Sequence, residues 1–367
     1  MHEMTRRTLL KSAAAAAVAA GGLGGLPGVC RSSDEKTGDI MPSSKANRTK
    51  RPHLIFVFAD QLGYTRCGYA GDPKARTPNI DRLAGQGVNF RQAVASMPVC
   101  AAYRASLLTG KYTTSTGMVI NELRMQTSHD CFGHALTRGG YQTGYIGKWH
   151  LYANELGNHM DPRNSFTPPG PDRLGFDGYW ASYGFHHDNY GAYYHTDSPA
   201  KISYGKGVYE PDGQTDLAIG RLERTATADR PFAMFLSYGT PHDPWSADNV
   251  PPAYRAMFAD VEFPNPPNYK PTNDPHADTW GRLAPEGRRD LATWRRHYYA
   301  MTANLDWNIG RLLAAVDRLG LADDTIVVFS SDHGEMFGAQ GRRAKNIFYE
   351  EAARIPGLRE SRVRREG

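Results

Sequence analysis

The chain has few cysteines, no long hydrophobic run and little net charge, and each scarcity narrows what it can be. Four Cys in 367 residues are too few for the disulfide framework that holds small secreted domains together. The Ala-rich apolar stretch from Ser12 to Ala20 is too short, and followed too soon by Gly, to span a bilayer. A formal net charge of +5 is small for this length, and the surplus sits near the ends. Gly357 to Gly367 holds four Arg against two Glu, and the first fifty residues are also basic. The body between is close to neutral and shows no nucleic-acid footprint. No internal repeat is visible. What is present is a hydrophobic share of 40% and an aromatic share of 11%, which argue against disorder. The length suits one large domain or two smaller ones with a sizeable core.

The first residues read as a targeting segment. Arg6-Arg7, then Thr8-Leu9-Leu10-Lys11 and the Ala-rich run, resemble a twin-arginine export signal over residues 1–30, set apart from fold reasoning. The expected location is periplasmic or extracellular, with the twin-arginine export machinery as a partner. Pro27-Gly28-Val29 is a poor context for a lipid-anchored Cys30, and residues 31–50 read as a polar linker. Export leads to an oxidising compartment. The body's Cys67, Cys100 and Cys131 then fit either one disulfide plus one special cysteine or three unpaired thiols.

Strand and helix patterns alternate along the body, which predicts an α/β fold. Continuous apolar runs predict buried strands at His53–Phe58, Tyr141–Ile146, Pro231–Tyr238 and Thr325–Ser330. A short helix is expected at Pro78–Gln86, a strand at Val88–Ala93, and a long amphipathic helix from about Asp290 to Leu319. The stretches Asp161–Pro211 and Pro241–Pro285 read as long surface loops. Polar residues come directly after four of the strands: Asp60, Lys148 with His150, His242, and Asp332 with His333. In open α/β sheets ligands bind at the carboxyl ends of the strands, so these residues are expected to converge there.

Around Cys100 the chain reads Met97-Pro98-Val99-Cys100-Ala101-Ala102-Tyr103-Arg104-Ala105-Ser106-Leu107-Leu108-Thr109-Gly110-Lys111. Good helix formers after Pro98 place Cys100 at a helix N-terminus, where free amides and the dipole favour an anion. A buried structural cysteine is the competing reading. The Cys-x-x-x-Arg spacing with Thr-Gly-Lys resembles the signature of the type I, formylglycine-dependent sulfatases of the alkaline-phosphatase-like superfamily. Ala102 stands where Pro is commoner.

That resemblance covers residues 51–351 and implies a three-layer α/β fold with a mostly parallel central sheet. It implies hydrolysis of a sulfate ester, of a sulfated carbohydrate or aryl sulfate, through the hydrate of a formylglycine made from Cys100 by a maturation enzyme. Twin-arginine export of folded chains suits a residue modified before export. Asp60, Gln61, Cys100, Asp332 and His333 match the family's metal site, for which the implied ion is Ca²⁺. Gln61 departs from a second Asp, and the imidazole of His333 suits calcium less well than oxygen. Arg104 matches the residue orienting the hydrate, with Lys111 just beyond. Lys148 and Lys345 match the sulfate-binding lysines. His150 matches the residue that takes a proton in releasing sulfate, and His242 the one that contacts the ester oxygen. His242 or Lys345 protonates the leaving alcohol. His186, His187, Asp188, Tyr193, Tyr194 and His195 either line the pocket or simply reflect loop composition.

Family members continue past the Phe348–Pro356 stretch with another apolar strand and a smaller C-terminal subdomain. Residues 352–367 instead read as a divergent basic tail, from a frameshift or premature stop, which predicts a missing subdomain and an exposed sheet edge. Two other functions stay open: a phosphonate or phosphodiester hydrolase of the same superfamily, and a non-catalytic protein binding a metal or a sulfated glycan.

Overall fold

The computed structural model describes residues 51–153 and 161–361. The export and linker readings lie outside the described residues, as does the tail beyond Ser361.

A seven-stranded sheet forms the centre. Its strands are β1 (His53–Ala59), β2 (Val88–Asn89), β3 (Gln142–Lys148), β4 (Tyr179–Tyr183), β5 (Phe232–Ser237), β6 (Thr325–Ser331) and β7 (Gly357–Ser361), in the spatial order β2-β7-β6-β1-β5-β3-β4. The five strands from β6 to β4 run parallel, and β7 and β2 are antiparallel at one edge. The principal helices are α1 (Pro78–Gln86), α2 (Cys100–Thr109), α3 (Glu210–Thr225) and α4 (Pro285–Arg318).

Period-two alternation explains the layering. Ile55, Val57, Ile146, Leu236 and Phe329 pack in a core with Leu222 of α3 and with Leu305, Ile309 and Leu312 of α4. Phe58, Tyr145, Trp180 and Phe235 face the opposite way and pack with Ala101, Ala105 and Leu108 of α2. Phe56, Phe235, Tyr145 and Trp180 lie in one register row across four strands. The Phe56 and Phe235 rings stack with centroids 5.0 Å apart. Burial of such rings is worth roughly 2 kcal/mol each, so this row fixes the register of the strands that carry the site.

The expected strands at residues 53–58, 141–146, 231–238 and 325–330 are present, with ends shifted by a residue or two. Other expectations need correction. The strand expected at Val88–Ala93 stops at Asn89, because the chain turns and the Ala93 amide bonds to the Phe90 carbonyl. The long helix starts at Pro285 rather than Asp290, with Pro285 in the first turn, where its missing N–H costs nothing. The stretch read as loops from Asp161 to Pro211 holds β4, which pairs with β3, and a hairpin of Tyr193–Tyr194 with Ile202–Ser203.

Regular structure continues past residue 351. The segment read as a divergent tail forms a helical turn, Glu350–Ala353, and then β7, which pairs with β6 over five positions. Leu358 and Glu360 turn inward while Gly357, Arg359 and Ser361 stay half-buried. A strand with such alternation tolerates charge at a sheet margin. Beyond it, β2 pairs with Arg359 and Leu358, so this edge is partly covered.

Candidate active site

Because β1, β3, β5 and β6 are parallel, the residues after them emerge at one edge of the sheet. Backbone bonds hold the emerging loops together. The Asp60 amide bonds to the Thr240 carbonyl at 3.2 Å, and the Asp332 amide to the Ala59 carbonyl at 3.2 Å. Gly147 precedes Lys148 at φ 97°, and a Cβ there would lie 2.0 Å from the Ser237 carbonyl, so only glycine lets β3 approach β5.

Cys100 is the first residue of α2, after Val99 in extended conformation. Arg104 lies one turn later on the same face. Both are buried. Arg104 fastens four groups: its Nη1 donates to the Lys148 carbonyl (2.6 Å) and Ser237 Oγ (2.7 Å), and its Nη2 to Asp60 Oδ2 (3.2 Å) and Asp332 Oδ2 (3.3 Å). Lys148 Nζ donates to Asp60 Oδ2 at 2.6 Å. Burial alone would raise the Asp60 carboxyl, but Lys148 above all, with other nearby cations, holds it well below the usual carboxylate range.

Cys100 Sγ lies 3.1 Å from His333 Nε2, 3.3 Å from Lys345 Nζ and 3.7 Å from Asp60 Oδ1. Burial, reinforced by Asp60, pushes the Cys100 thiol up to about 11 against the pull of Lys345. As translated it is a protonated, unreactive thiol at neutral pH. Burial lowers Lys345, yet the nearby carboxylates, Asp60 first, outweigh it and hold the ammonium above its ordinary range. That ammonium also donates to Gln61 Oε1 (3.0 Å) and His242 Nε2 (2.7 Å).

The imidazoles are oriented by their other nitrogens. His242 Nδ1 donates to the Asp243 carbonyl at 2.8 Å, which leaves Nε2 as an acceptor toward Lys345. His333 Nδ1 donates to the Gly334 carbonyl at 3.0 Å, so its Nε2 lone pair faces position 100. Burial lowers His333 to about 4, despite Asp332, and so it is neutral.

One ligand atom each from Asp60, Cys100, Asp332 and His333 lies within 4.8 Å of the others. Gln61 sits at φ 70°, a costly conformation for a residue with a Cβ. Its Nε2 donates to Glu335 Oε2 at 2.6 Å, which fixes the amide so that Oε1 faces the centre. Two carboxylates, an oriented amide oxygen and a metal-ready imidazole lone pair fit a divalent cation. Glu335 was not among the expected residues. It is buried, and its Oε1 accepts from the Phe337 and Ala344 amides at 3.2 and 2.7 Å.

The structure thus joins Asp60, Gln61, Cys100, Arg104, Lys148, His242, Asp332, His333 and Lys345 in one buried cluster. His150 lies beside it at φ 56°, its ring 4.7 Å from that of Phe185. With Tyr152, Asn164 and Phe185 it lines a small cavity. Lys148 Nζ stands 4.8 Å over the same Phe185 ring. Lys111 is not part of the site: it lies just past the far end of α2, exposed, 3.3 Å from His129 Nδ1. Of the loop histidines, His187 reaches the cluster by stacking on His242, whereas His195 bonds to Ser165 and the Ala200 carbonyl. Cys67, Cys100 and Cys131 are all free, so the disulfide alternative does not hold here.

One flanking group predicts a pH effect. Glu210, in the first turn of α3, is buried with its Oε1 accepting from Gln214 Nε2 at 2.8 Å. Burial pushes its carboxyl from an ordinary 4.5 up to about 8, only partly offset by Tyr183 and Lys148. The native pKa is the higher one, so stability is full below about 4.5 and falls as pH rises through 8. Glu210→Gln should therefore melt with the wild type at pH 4 and above it at pH 9, by a margin on the order of a few kcal/mol. A melting difference that does not widen with pH would contradict this.

Residues 52–359 match the sequence model of the sulfatases, and the chain belongs to the sulfatase family. It is similar to an ulvan-active sulfatase of Formosa agariphila, 38% identical over 311 residues, covering 84% of this chain and 56% of that protein. It is similar also to an N-acetylglucosamine-6-O-sulfatase of Bacteroides thetaiotaomicron, 28% identical over 373 residues, covering 84% and 62%. A solved structure in complex with its substrate D-glucosamine-2-N,6-O-disulfate matches with a TM-score of 0.69 and 26% identity, over 85% of this chain and 72% of that one. The mixed α/β, mostly parallel architecture is that of such neighbours. The chain spans less than two thirds of the length of these two curated relatives.

Proposed function

We propose that this chain carries the catalytic machinery of a sulfate-ester hydrolase whose nucleophile is made from Cys100. The observation that carries this reading is the placement of Cys100 at a helix start, inside a buried cluster that presents Arg104, Lys148 and Lys345 to one point. Oxidation of Cys100 to formylglycine by a maturation enzyme would supply the nucleophilic hydroxyl that the protonated thiol lacks. A divalent cation, Ca²⁺ by its oxygen donors, would be held by Asp60, Gln61, Asp332 and His333, and would supply Lewis-acid stabilisation of the sulfuryl oxygens.

The side chains have separable tasks. Arg104 binds both Asp60 and Asp332 and so fixes the angle between them. Lys148 and Lys345 bring positive charge to the sulfuryl group in a water-poor setting, where it acts most strongly. Lys345 carries the proton nearest the leaving oxygen, and His242 Nε2, which accepts from it, sets where that proton points. His150 is the base assigned to the release step. A sulfated carbohydrate is the substrate class that the names of the relatives support. Export through the twin-arginine route is part of the same reading and rests on the Arg6-Arg7 segment.

The test is turnover by calcium-loaded protein co-expressed with a formylglycine-generating enzyme. The expected result is hydrolysis of 4-nitrophenyl sulfate well above that of the matching phosphodiester and phosphonate monoester. Preference for either phosphorus ester would assign the site to the sister activity. Tight binding of sulfated glycan without turnover by fully matured protein would favour the non-catalytic alternative.

A further inference from the structure

His187 is unassigned by the machinery above, yet its ring lies flat on that of His242, with centroids 3.9 Å apart and planes 4° from parallel. Its Nε2 is buried and has no hydrogen-bond partner among the described residues. What His187 gives its neighbour is therefore a ring face, not a tether. The Phe185 ring also meets it edge-on, with centroids 4.6 Å apart. Phe185, under Lys148 and beside His150, thus continues one aromatic wall from Lys148 to His242.

The loop bearing His187 is clamped to the loop bearing His242 chiefly through the buried side chain of Asn249. Asn249 Nδ2 donates to the His187 carbonyl at 3.0 Å and to the Pro244 carbonyl at 3.1 Å. Its Oδ1 accepts from the Asn189 amide at 2.8 Å. The Asn189 carbonyl in turn accepts from the Glu210 amide at 2.8 Å, which ties the loop to the start of α3. A stack held by so many bonds from both loops is built in, not incidental.

We infer that His187 is a positioning residue for the leaving group's proton: its ring fixes the plane of His242, and His242 in turn aims the Lys345 ammonium. The inference rests on the sulfate-ester reading above. In the step concerned, an ionised oxygen of the hydrate at position 100 bonds to sulfur as the bond from sulfur to the ester oxygen breaks, and the electron pair of the broken bond stays on the ester oxygen. The oxygen takes the proton held between Lys345 and His242. A loosened His242 spoils that delivery without touching the nucleophile or the sulfuryl contacts. The defect should grow as the leaving oxygen becomes more basic and needs the proton more.

The experiment is a series of substituted phenyl sulfates, from nitro- to methoxyphenyl, with matured His187→Ala and His187→Phe. His187→Ala should lose about 30-fold more kcat/KM on the poorest leaving group than on the best. His187→Phe keeps the ring face and should keep the wild-type slope. An equal loss across the series, or a slope as steep for the Phe variant as for the Ala variant, overturns the inference. If the wild type hydrolyses no phenyl sulfate, the sulfatase reading itself fails. Crystal structures of the two variants then judge the stack alone. A His242 ring turned in the Ala variant and kept in the Phe variant supports it, and a ring unmoved in the Ala variant overturns it.

Discussion

Cys100→Ala is expected to lower kcat/KM for a sulfate ester by at least about 10³-fold, because the nucleophile is lost and no neighbour can replace it. His333 Nε2 and Lys345 Nζ are the groups nearest the thiol, at 3.1 and 3.3 Å. One is oriented as a ligand, and the other is a protonated ammonium. Neither attacks sulfur. The fold should survive, since a small buried side chain becomes one slightly smaller, at a cost of about 1 kcal/mol. Cys100→Ser refines the test: serine offers one hydroxyl and none to expel the sulfate afterwards. Steady turnover by Cys100→Ser at the wild-type rate would contradict the proposed chemistry. The check is steady-state kinetics beside a melting curve for each variant.

The second large effect is expected at Asp60. Asp60→Asn keeps the shape of the residue and removes its charge. In the native protein Oδ2 receives Lys148 at 2.6 Å and Arg104 at 3.2 Å, all fully or nearly fully buried. The change leaves Lys148 without its carboxylate, and Arg104 with Asp332 as its remaining one. Removing one partner of a buried ion pair costs about 3–5 kcal/mol, so a fall in melting temperature of several degrees is expected for a chain of this size. The same carboxylate is one of the proposed cation donors. Calcium should raise the wild-type melting temperature by mass action, and a chelator should reverse the rise. Asp60→Asn should show little of either response. Equal calcium responses in both proteins would remove Asp60 from the metal site.

Much of the site was readable in the chain because the fold reports strand ends. A parallel buried strand is a continuous apolar run, and the residues just after its carboxyl end sit at the ligand edge of the sheet. Asp60, Lys148, His242 and Asp332 could therefore be placed together before any contact was known. Cys100 and Arg104 were legible from helix periodicity, which sets one turn between them. Three features were not legible, for different reasons. Strand β4, Tyr-Trp-Ala-Ser-Tyr, lies among Gly, Pro and Asp, and its place in the sheet comes from pairing with β3 and from Trp180 joining the aromatic row. Glu335 reads as one more acid after a strand; its bond to Gln61 depends on a turn that also directs the Phe337 and Ala344 amides to it. His187 lies in a His-rich loop with no periodicity, and its meeting with His242 depends on the Asn249 clamp, some sixty residues further on. As for β7, its Arg359 and Glu360 resemble a solvated run until pairing with β6 sets their alternation.

The most direct measurement is the mass of the peptide spanning Cys100, taken from the same preparations whose sulfate-ester turnover is recorded. Expression with graded amounts of maturation enzyme gives graded modification. The expected result is a mass loss at position 100 corresponding to exchange of CH₂–SH for CHO, with turnover proportional to the modified fraction and vanishing with it. Full turnover by protein whose Cys100 is entirely unmodified would contradict a nucleophile made from that residue.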